Sequence, residues 1–113
     1  MTYPISQPWD DRRHYHATYT KDPDSVMPYT INWDTIIPAG DTIDTATSTA
    51  YVHGSTTTTT TDITVDGTAT TTRTTVTTLS GGVDNTDYDI TVHVTTDGGL
   101  EDDRTLHIKT RHL

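Results

Sequence analysis

The stretch LSGGVDNTDYDITVHV, residues 79–94, decides the fold class of this chain. From Tyr88 to Val94 every second residue is aromatic or aliphatic, and the residues between them are polar. Alternation of this kind predicts a β-strand with one buried face. The Gly-Gly-Val-Asp-Asn before it supplies a turn, and Leu79 ends the preceding run of strand-forming residues. The stretch therefore predicts two strands that meet at a glycine corner.

A leucine, a glycine turn and a tyrosine that opens an alternating strand are typical of the E–F corner of immunoglobulin-like sandwiches. In that corner the tyrosine hydroxyl bonds to the backbone of the turn, and we predict this structural role for Tyr88. Upstream, Tyr29, Ile31 and Trp33 share one parity, which predicts a second half-buried strand with Trp33 in the core. Because Pro28 lies in the same run, that strand is expected at a sheet edge, or to begin just after the proline.

The rest of the chain has further short apolar runs, separated by turn signals roughly every 8–12 residues. Three local expectations concern single elements: Ile43, Thr45, Thr47, Thr49 and Tyr51 on one strand face, a tight turn at Asp66-Gly67, and inward-facing Leu106 and Ile108 in the last strand. The pattern predicts an all-β, immunoglobulin-like antiparallel β-sandwich of about seven strands over residues 18–113. A closed barrel of similar strand number is the alternative architecture.

Composition agrees with a single domain that has a thin core. The 113 residues suffice for one domain, and the hydrophobic fraction of 30% suits two packed sheets better than a helical bundle. About a quarter of the residues are threonine, which favours pleated surfaces, whereas good helix formers are rare. No window approaches the roughly 18 apolar residues of a membrane span, and the start lacks the apolar core of a signal peptide. Cysteine is absent, which excludes disulfides.

The charge balance argues against nucleic acid as a partner, because a formal net charge of −9 repels phosphate. Asp supplies 15 of the 16 acidic residues, and lysine occurs only at positions 21 and 109. Together with the few apolar residues, this suggests adaptation to high salt, where a carboxylate surface stays hydrated and its self-repulsion is screened. An acidic surface on a protein from a low-salt environment is the alternative, and composition does not separate the two.

Residues 1–17 contain two prolines, mixed charge and no periodicity, so we expect an irregular N-terminal arm. The aromatic residues Tyr3, Trp9 and Tyr15 are unusual for a disordered tail. Such residues often dock an arm onto a surface, either that of the same chain or that of a neighbour. We therefore take these three as candidate partner-binding residues.

The six histidines invite a search for a metal site, but their spacing predicts none. His14 and His16 would point the same way on a strand, and no third ligand is evident. His93 and His107 are predicted to face each other across the last two strands as a cross-strand pair. The sequence thus predicts no metal ion and no cofactor.

The acidic residues at 97 and 101–103 suit a hard cation, yet their spacing does not match a helix–loop–helix calcium loop. A solvated hairpin tip is the preferred interpretation. Asp103 beside Arg104 is a candidate carboxylate–guanidinium pair that would pin the start of the last strand. Catalysis is not predicted, since the chain has no nucleophile elbow or phosphate loop and only one glutamate, and nothing singles out a pair of aspartates.

Several motifs together resemble a known family of small virion proteins from tailed viruses, the phage fibre–tail adaptors. The motifs are KDPDSV at residues 21–26, LSGG at 79–82 and DDRTLHIK at 102–109, and the resemblance covers about residues 18–110. The chain departs from the family pattern at Pro28 and Asn32, where acidic residues are usual, and at Thr78, where an aromatic residue is usual. The resemblance implies an immunoglobulin-like β-sandwich and carries over no catalytic residue.

The resemblance also implies a function, namely a non-enzymatic structural protein of the virion that joins fibres, spikes or decorations to the tail or head. Its partners would be other virion proteins of the tail, fibre or capsid, and it would be present in several copies in a symmetric assembly. No nucleic acid or membrane partner is expected. A capsid decoration or cement protein is one alternative, and a module that binds host-surface glycans is another.

The run of six threonines, residues 56–61, raises a separate question about domain organisation. A mucin-like stalk would need prolines, and a flexible linker would be richer in glycine and serine. We therefore predict a strand or a strand-to-loop edge element of the same sandwich. Because identical residues specify register poorly, we expect its flanks to hold it in place.

Overall fold

The computed structural model describes residues 15–55 and 57–113. These residues form seven β-strands, and no helix occurs among them. In chain order the strands are β1 (Tyr15–Lys21), β2 (Val26–Asn32), β3 (Ile43–Val52), β4 (Ile63–Thr70), β5 (Thr74–Gly81), β6 (Thr86–Thr96) and β7 (Glu101–Thr110). The predicted all-β fold of about seven strands is confirmed. Strand β1 begins at Tyr15, so the last residues of the expected arm already belong to the folded part.

The strands form two sheets, one of four strands in the order β1-β7-β6-β3 and one of three strands in the order β2-β5-β4. Two separate sheets make a sandwich, and the alternative of a closed barrel is wrong. Strands β3, β6 and β7 share one sheet, and β2, β5 and β4 share the other, which is the partition of the C-F-G and B-E-D strands in immunoglobulin domains. The first strand differs from an all-antiparallel arrangement, because β1 pairs in parallel with β7.

The core lies between the two sheets and is built from the predicted apolar faces. The buried apolar side chains are Tyr29, Ile31, Trp33, Ile37, Ile43, Ala50, Ile63, Leu79, Tyr88, Ile90, Val92, Val94, Leu106 and Ile108. Strand β2 is an edge strand, which accommodates Pro28 as predicted, because its outer backbone edge needs no hydrogen-bond donor.

Threonine fills part of this core, which explains how a chain with few apolar residues builds two packed sheets. Thr75 and Thr77 on β5 are fully buried. The indole nitrogen of Trp33 donates to Thr75 Oγ1 at 3.1 Å, and the hydroxyls of Ser48 and Thr77 are hydrogen-bonded at 2.9 Å. The hydroxyls of Thr75 and Thr77 therefore each have a partner, so their desolvation is compensated.

Two local predictions are wrong, and both errors come from β-bulges. A bulge between Ile43 and Thr45 reverses the parity of β3, so the inward positions after it are those of Ala46, Ser48 and Ala50. The extra residue of a bulge shifts all later side chains to the opposite face. The predicted face of Thr45, Thr47, Thr49 and Tyr51 therefore points away from the core.

The dipeptide Asp66-Gly67 likewise forms a bulge inside β4 and not a tight turn. The connection from β4 to β5 is made by residues 71–73, where Thr71 N donates to Thr74 O at 2.9 Å. Glycine suits a bulge as well as it suits a hairpin turn, so the dipeptide alone did not distinguish them.

The threonine run lies in the connection between β3 and β4. Its first residue, Thr56, is outside the described residues. Thr59 forms an isolated antiparallel bridge with Tyr51. Val52 N donates to Thr58 O at 3.0 Å, and Thr60 N donates to Ala50 O at 3.1 Å. The run is therefore a loop that adds a short paired stretch to the edge of β3, in agreement with a strand-to-loop edge element.

Candidate functional site

The three aromatic residues predicted to bind a partner fall mostly outside the described part of the chain. Tyr3 and Trp9 lie outside it, as does His14, and of Tyr15 only the backbone is described. The backbone of Tyr15 pairs with Thr105 at the start of the parallel β1–β7 ladder.

One end of the sandwich is organised by the glycine corner. Tyr88 is buried, and its hydroxyl accepts a hydrogen bond of 2.9 Å from Val83 N. Gly81 and Gly82 have φ angles of 77° and 101°, which residues with a Cβ rarely adopt. A Cβ on Gly82 would also lie 2.9 Å from Thr110 Oγ1. The LSGG motif thus lets the chain turn tightly against the end of β7.

Lys21 connects the KDPDSV motif to this corner. Its side chain is buried, and Nζ donates to Gly81 O at 2.8 Å and to Asp22 O at 2.9 Å. Burial lowers the pKa of Lys21, while the nearby carboxylates of Asp22 and Asp24 oppose that shift. The sequence prediction did not single out this lysine. Two features of the sequence could have indicated its importance: it is the first residue of the KDPDSV motif, and it is one of only two lysines in the chain.

The same end collects most of the exposed apolar side chains. Six large apolar residues are exposed in the described part of the chain, and five of them lie at this end: Val26, Met27, Val52, Val83 and Leu113. The sixth, Leu100, lies in the β6–β7 hairpin at the opposite end. The strand register places them at the same end of the sandwich, since Val26 pairs with Ser80 and Val52 with Tyr88. Leu113 N donates to Asp22 Oδ2, which holds the C-terminal residues at this end. We call it the corner end.

The opposite end is held by Arg73, which lies in the β4–β5 connection. Its guanidinium forms an ion pair with Asp34 and donates to Ile37 O at 2.5 Å and to Asp41 O at 3.3 Å. The hydrogen bond from Arg73 holds the pKa of Asp34 below its usual value. The residues between β2 and β3 are thereby tied to the three-stranded sheet.

The predicted pair of Asp103 with Arg104 is wrong, because neighbouring residues of a strand point to opposite faces. Arg104 lies over the ring of Trp33, with its guanidinium carbon 5.2 Å from the ring centroid, and donates to Thr35 Oγ1 at 3.0 Å. Asp103 instead accepts from His93 Nδ1 at 2.5 Å on the outer face. Trp33 is fully buried, so the cation–π contact lies at the margin of the core.

Histidines on the outer face of the four-stranded sheet pair with acidic residues and not with each other across the strands. In the β6–β7 register His93 faces Asp103, and His107 faces Asp89, so the predicted pairing of His93 with His107 is wrong. His93 Nε2 also lies 3.1 Å from Glu101. The hydrogen bond to Asp103 raises the pKa of His93, and Glu101 adds to the effect against a smaller loss from burial.

A second group on this face lies near the corner end. His53 Nδ1 is 2.8 Å from Asp89 Oδ1, and His107 Nε2 is 3.0 Å from Asp87 Oδ2. The two imidazole rings are stacked, with centroids 4.3 Å apart and planes 9° apart. Asp89 is fully buried although it points away from the core, and it also accepts from Gly54 N at 2.9 Å.

Arg111 completes this group through an ion pair of 2.9 Å with Asp87 Oδ1. Burial opposes the ionisation of Asp87, but the hydrogen bonds from His107 and Arg111 prevail and lower its pKa. A carboxylate can only accept, so His107 donates from Nε2 and His53 donates from Nδ1 when their partners are ionised. Sequence reasoning missed this group, because its members are distant along the chain.

The acidic hairpin does not gather its side chains around one point. Asp97 accepts from Thr42 Oγ1 at 2.8 Å, whereas Glu101 and Asp103 both contact His93.

Within residues 15–55 and 57–113, the groups of three side chains that bring possible metal ligands together are His53-Asp87-His107 and Asp22-Asp24-His112. The part of the chain that the structure describes contains no helix long and apolar enough to cross a membrane.

Comparison with known proteins gives one family. A search of curated proteins found no match. A family model described as podophage GP4 fiber-tail adaptor protein gp77 matches residues 21–109, a range that begins at Lys21 and ends within β7. The match includes the glycine corner and all of β2 to β6. The chain therefore belongs to the podophage fiber-tail adaptor family and is a component of the virion.

Proposed function

We propose that this protein is a non-enzymatic adaptor that joins a fibre or spike to the tail of the virus particle and is present there in several copies. Membership of the adaptor family supports a structural, tail-associated role. The single observation that carries the proposal is the set of exposed apolar side chains at the corner end. A surface of this kind on a strongly acidic protein is typical of a protein–protein contact.

The corner end has the rigidity that a docking surface needs. Val83, which is 50% exposed, has its own backbone N bonded to the Tyr88 hydroxyl, and it follows two glycines of which Gly81 accepts from Lys21 Nζ. Val26, which is 63% exposed, opens β2 directly after the turn in which Ser25 N donates to Asp22 O at 3.0 Å. Side chains held by a fixed backbone lose little entropy on binding, which favours affinity.

The edges of the three-stranded sheet are less suited to binding a partner strand. Strand β2 carries Pro28, which cannot donate a backbone hydrogen bond, and β4 carries the bulge at Asp66-Gly67. Prolines and bulges are common means of preventing edge-to-edge pairing. Docking through loops and side chains at the corner end is therefore the favoured mode.

The N-terminal arm provides a second proposed contact. Trp9, with Tyr3 and Tyr15, supplies aromatic side chains of the type that dominate interface energies when they enter a closed pocket. Strand β1 starts at Tyr15, which pairs with Thr105 near the middle of β7, and runs toward the corner end, so the arm joins the sandwich at the edge of the four-stranded sheet, away from the corner end. Two separate contacts would allow one molecule to connect two neighbours, which is what an adaptor requires.

Substitutions in virus particles test both contacts. Val83→Asp and Val26→Asp place a charge in the corner end, and Leu100→Asp places the same charge at the opposite hairpin as the matched control. We expect the first two to lower the amount of this protein in purified particles about tenfold, and the control to leave it unchanged. Trp9→Ala is expected to reduce incorporation without changing the melting temperature of the isolated protein.

Normal incorporation of both corner-end variants would contradict docking at that end, and normal incorporation of Trp9→Ala would contradict the arm contact. Imaging of the particle distinguishes a tail position from the alternative of capsid decoration. The alternative of a glycan-binding module has less support, because Trp33 is buried and covered by Arg104 and so offers no stacking face.

A further inference from the structure

We propose that His53, Asp87 and His107 form a binding site for a divalent transition-metal ion such as Zn²⁺ on the outer face of the four-stranded sheet. The site is independent of the adaptor role. It differs from the prediction that the chain holds no metal ion, which was made from sequence spacing alone.

The distances between the three side chains support the site. One nitrogen from each imidazole and one oxygen of Asp87 lie within 4.8 Å of one another. His107 Nε2 and Asp87 Oδ2 are 3.0 Å apart. Ligands at 2.0–2.1 Å or so from a tetrahedral Zn²⁺ are about 3.3 Å from each other. Because the lone pair of an imidazole nitrogen lies in the plane of its ring, at least one of the two stacked imidazoles must turn before both can bind one ion.

The strands supply two of the three ligands from rigid positions. Asp87 lies on β6 and His107 on β7, and the two strands are paired over their whole length. His53 follows β3 directly, one residue beyond the pairing of Val52 with Tyr88. Ligands fixed in this way lose little conformational freedom when an ion binds.

Supporting contacts around the ligands have the pattern found at metal centres. His53 Nδ1 is held at 2.8 Å by the carboxylate of Asp89, which is fully buried and fixed by Gly54 N. Carboxylates that accept from a ligating histidine orient its ring and raise its basicity. Asp87 is likewise oriented by Arg111 through the oxygen that His107 does not contact.

The donor set determines the kind of ion. Two imidazoles and one carboxylate suit Zn²⁺, Ni²⁺, Co²⁺ or Cu²⁺, whereas Mg²⁺ and Ca²⁺ prefer oxygen ligands only. Three protein ligands leave one tetrahedral position for water.

Titration calorimetry on protein without a polyhistidine tag tests the proposal. We expect one equivalent of Zn²⁺ to bind at pH 7.5 with a dissociation constant tighter than about 100 µM, and Mg²⁺ to show no binding. His53→Gln and His107→Gln should each weaken Zn²⁺ binding at least about tenfold, and Asp89→Asn should weaken it about 10–100-fold as a positioning residue. The matched controls are His93→Gln on the same sheet face, His112→Gln at the corner end, and the double variant His14→Gln/His16→Gln.

Unchanged binding in all three controls, together with loss in the two ligand variants, would support the site. Absence of binding tighter than about 100 µM, or loss in a control equal to that in the ligand variants, would overturn it. X-ray absorption of the zinc-loaded wild-type protein needs no variant and covers the case in which a substitution prevents folding. Scattering from two imidazoles is expected, and an all-oxygen shell would refute the assignment.

Discussion

The ammonium group of Lys21 donates a hydrogen bond of 2.8 Å to the carbonyl of Gly81, and this bond joins the end of β1 in one sheet to the end of β5 in the other. Lys21 is almost completely buried, at 1% exposure. A buried ammonium is tolerated only when it is hydrogen-bonded, and here the carbonyls of Gly81 and Asp22 accept two of its three protons. The KDPDSV and LSGG motifs are therefore parts of one structural joint.

Replacing Lys21 with methionine should weaken this joint. Lys21→Met keeps the length of the side chain but leaves two carbonyls without their charged donor. We expect a loss of about 1.5–3 kcal/mol in the free energy of unfolding, measured by urea denaturation. Lys109→Met, at the other lysine of the chain, is the control and should change stability little. Equal effects of the two substitutions would argue against a special role for Lys21.

The hydroxyl of Tyr88 should stabilise the glycine corner through Val83 N. Tyr88→Phe removes the acceptor and leaves a part-buried N–H without its partner. We expect a cost of about 1–2 kcal/mol in thermal or chemical unfolding. Tyr19→Phe, in a ring that packs against Tyr29 at 4.9 Å, serves as the matched control. A Tyr88→Phe protein as stable as the wild type would show that the bond contributes nothing net.

Arg73 should not be replaceable by lysine. Its guanidinium bonds several carbonyls and Asp34 at once, which a single ammonium cannot reproduce. Arg73→Lys is expected to cost about 1–2 kcal/mol, mainly through the carbonyl bonds. It should also increase amide hydrogen exchange at residues 33–42, while exchange at the corner end stays unchanged. Uniform exchange changes across the domain would contradict a local clamp.

The contribution of His93 to stability should depend on pH. Because Asp103 and Glu101 raise the pKa of His93 in the folded state, protonated His93 favours folding. This stabilisation is fully present below the ordinary pKa of 6.5 and is lost as the pH rises through the higher folded-state value. His93→Gln should therefore destabilise the protein at pH 5.5 and have little effect at pH 9, as measured by urea unfolding. An effect of equal size at both pH values would show that the charge is not responsible.

Salt should raise the melting temperature if the acidic composition reflects a high-salt environment. The net charge of −9 makes the folded chain repel itself at low ionic strength, and salt screens that repulsion. Calorimetry from low to molar NaCl should show a progressive increase. A flat or falling melting temperature would count against adaptation to high salt.

The alternation in residues 29–33 and 88–94 was sufficient to predict two of the core strands, because side-chain period alone reports which face is buried. The same rule failed for β3, where a bulge between Ile43 and Thr45 inverted the parity. It also failed for Asp66-Gly67, because glycine occurs in bulges and in turns alike. Bulges depend on how two strands pair, which one strand's sequence does not express.

By itself, the sequence determined the all-β class, the glycine corner with Tyr88, and the family resemblance, since these depend on residues close together in the chain. Only the tertiary structure decided the partners of residues far apart. It paired β1 with β7 in parallel, placed Lys21 against Gly81, and brought His53 to His107. Local periodicity sets which way a side chain points, whereas strand order and register set what it meets there.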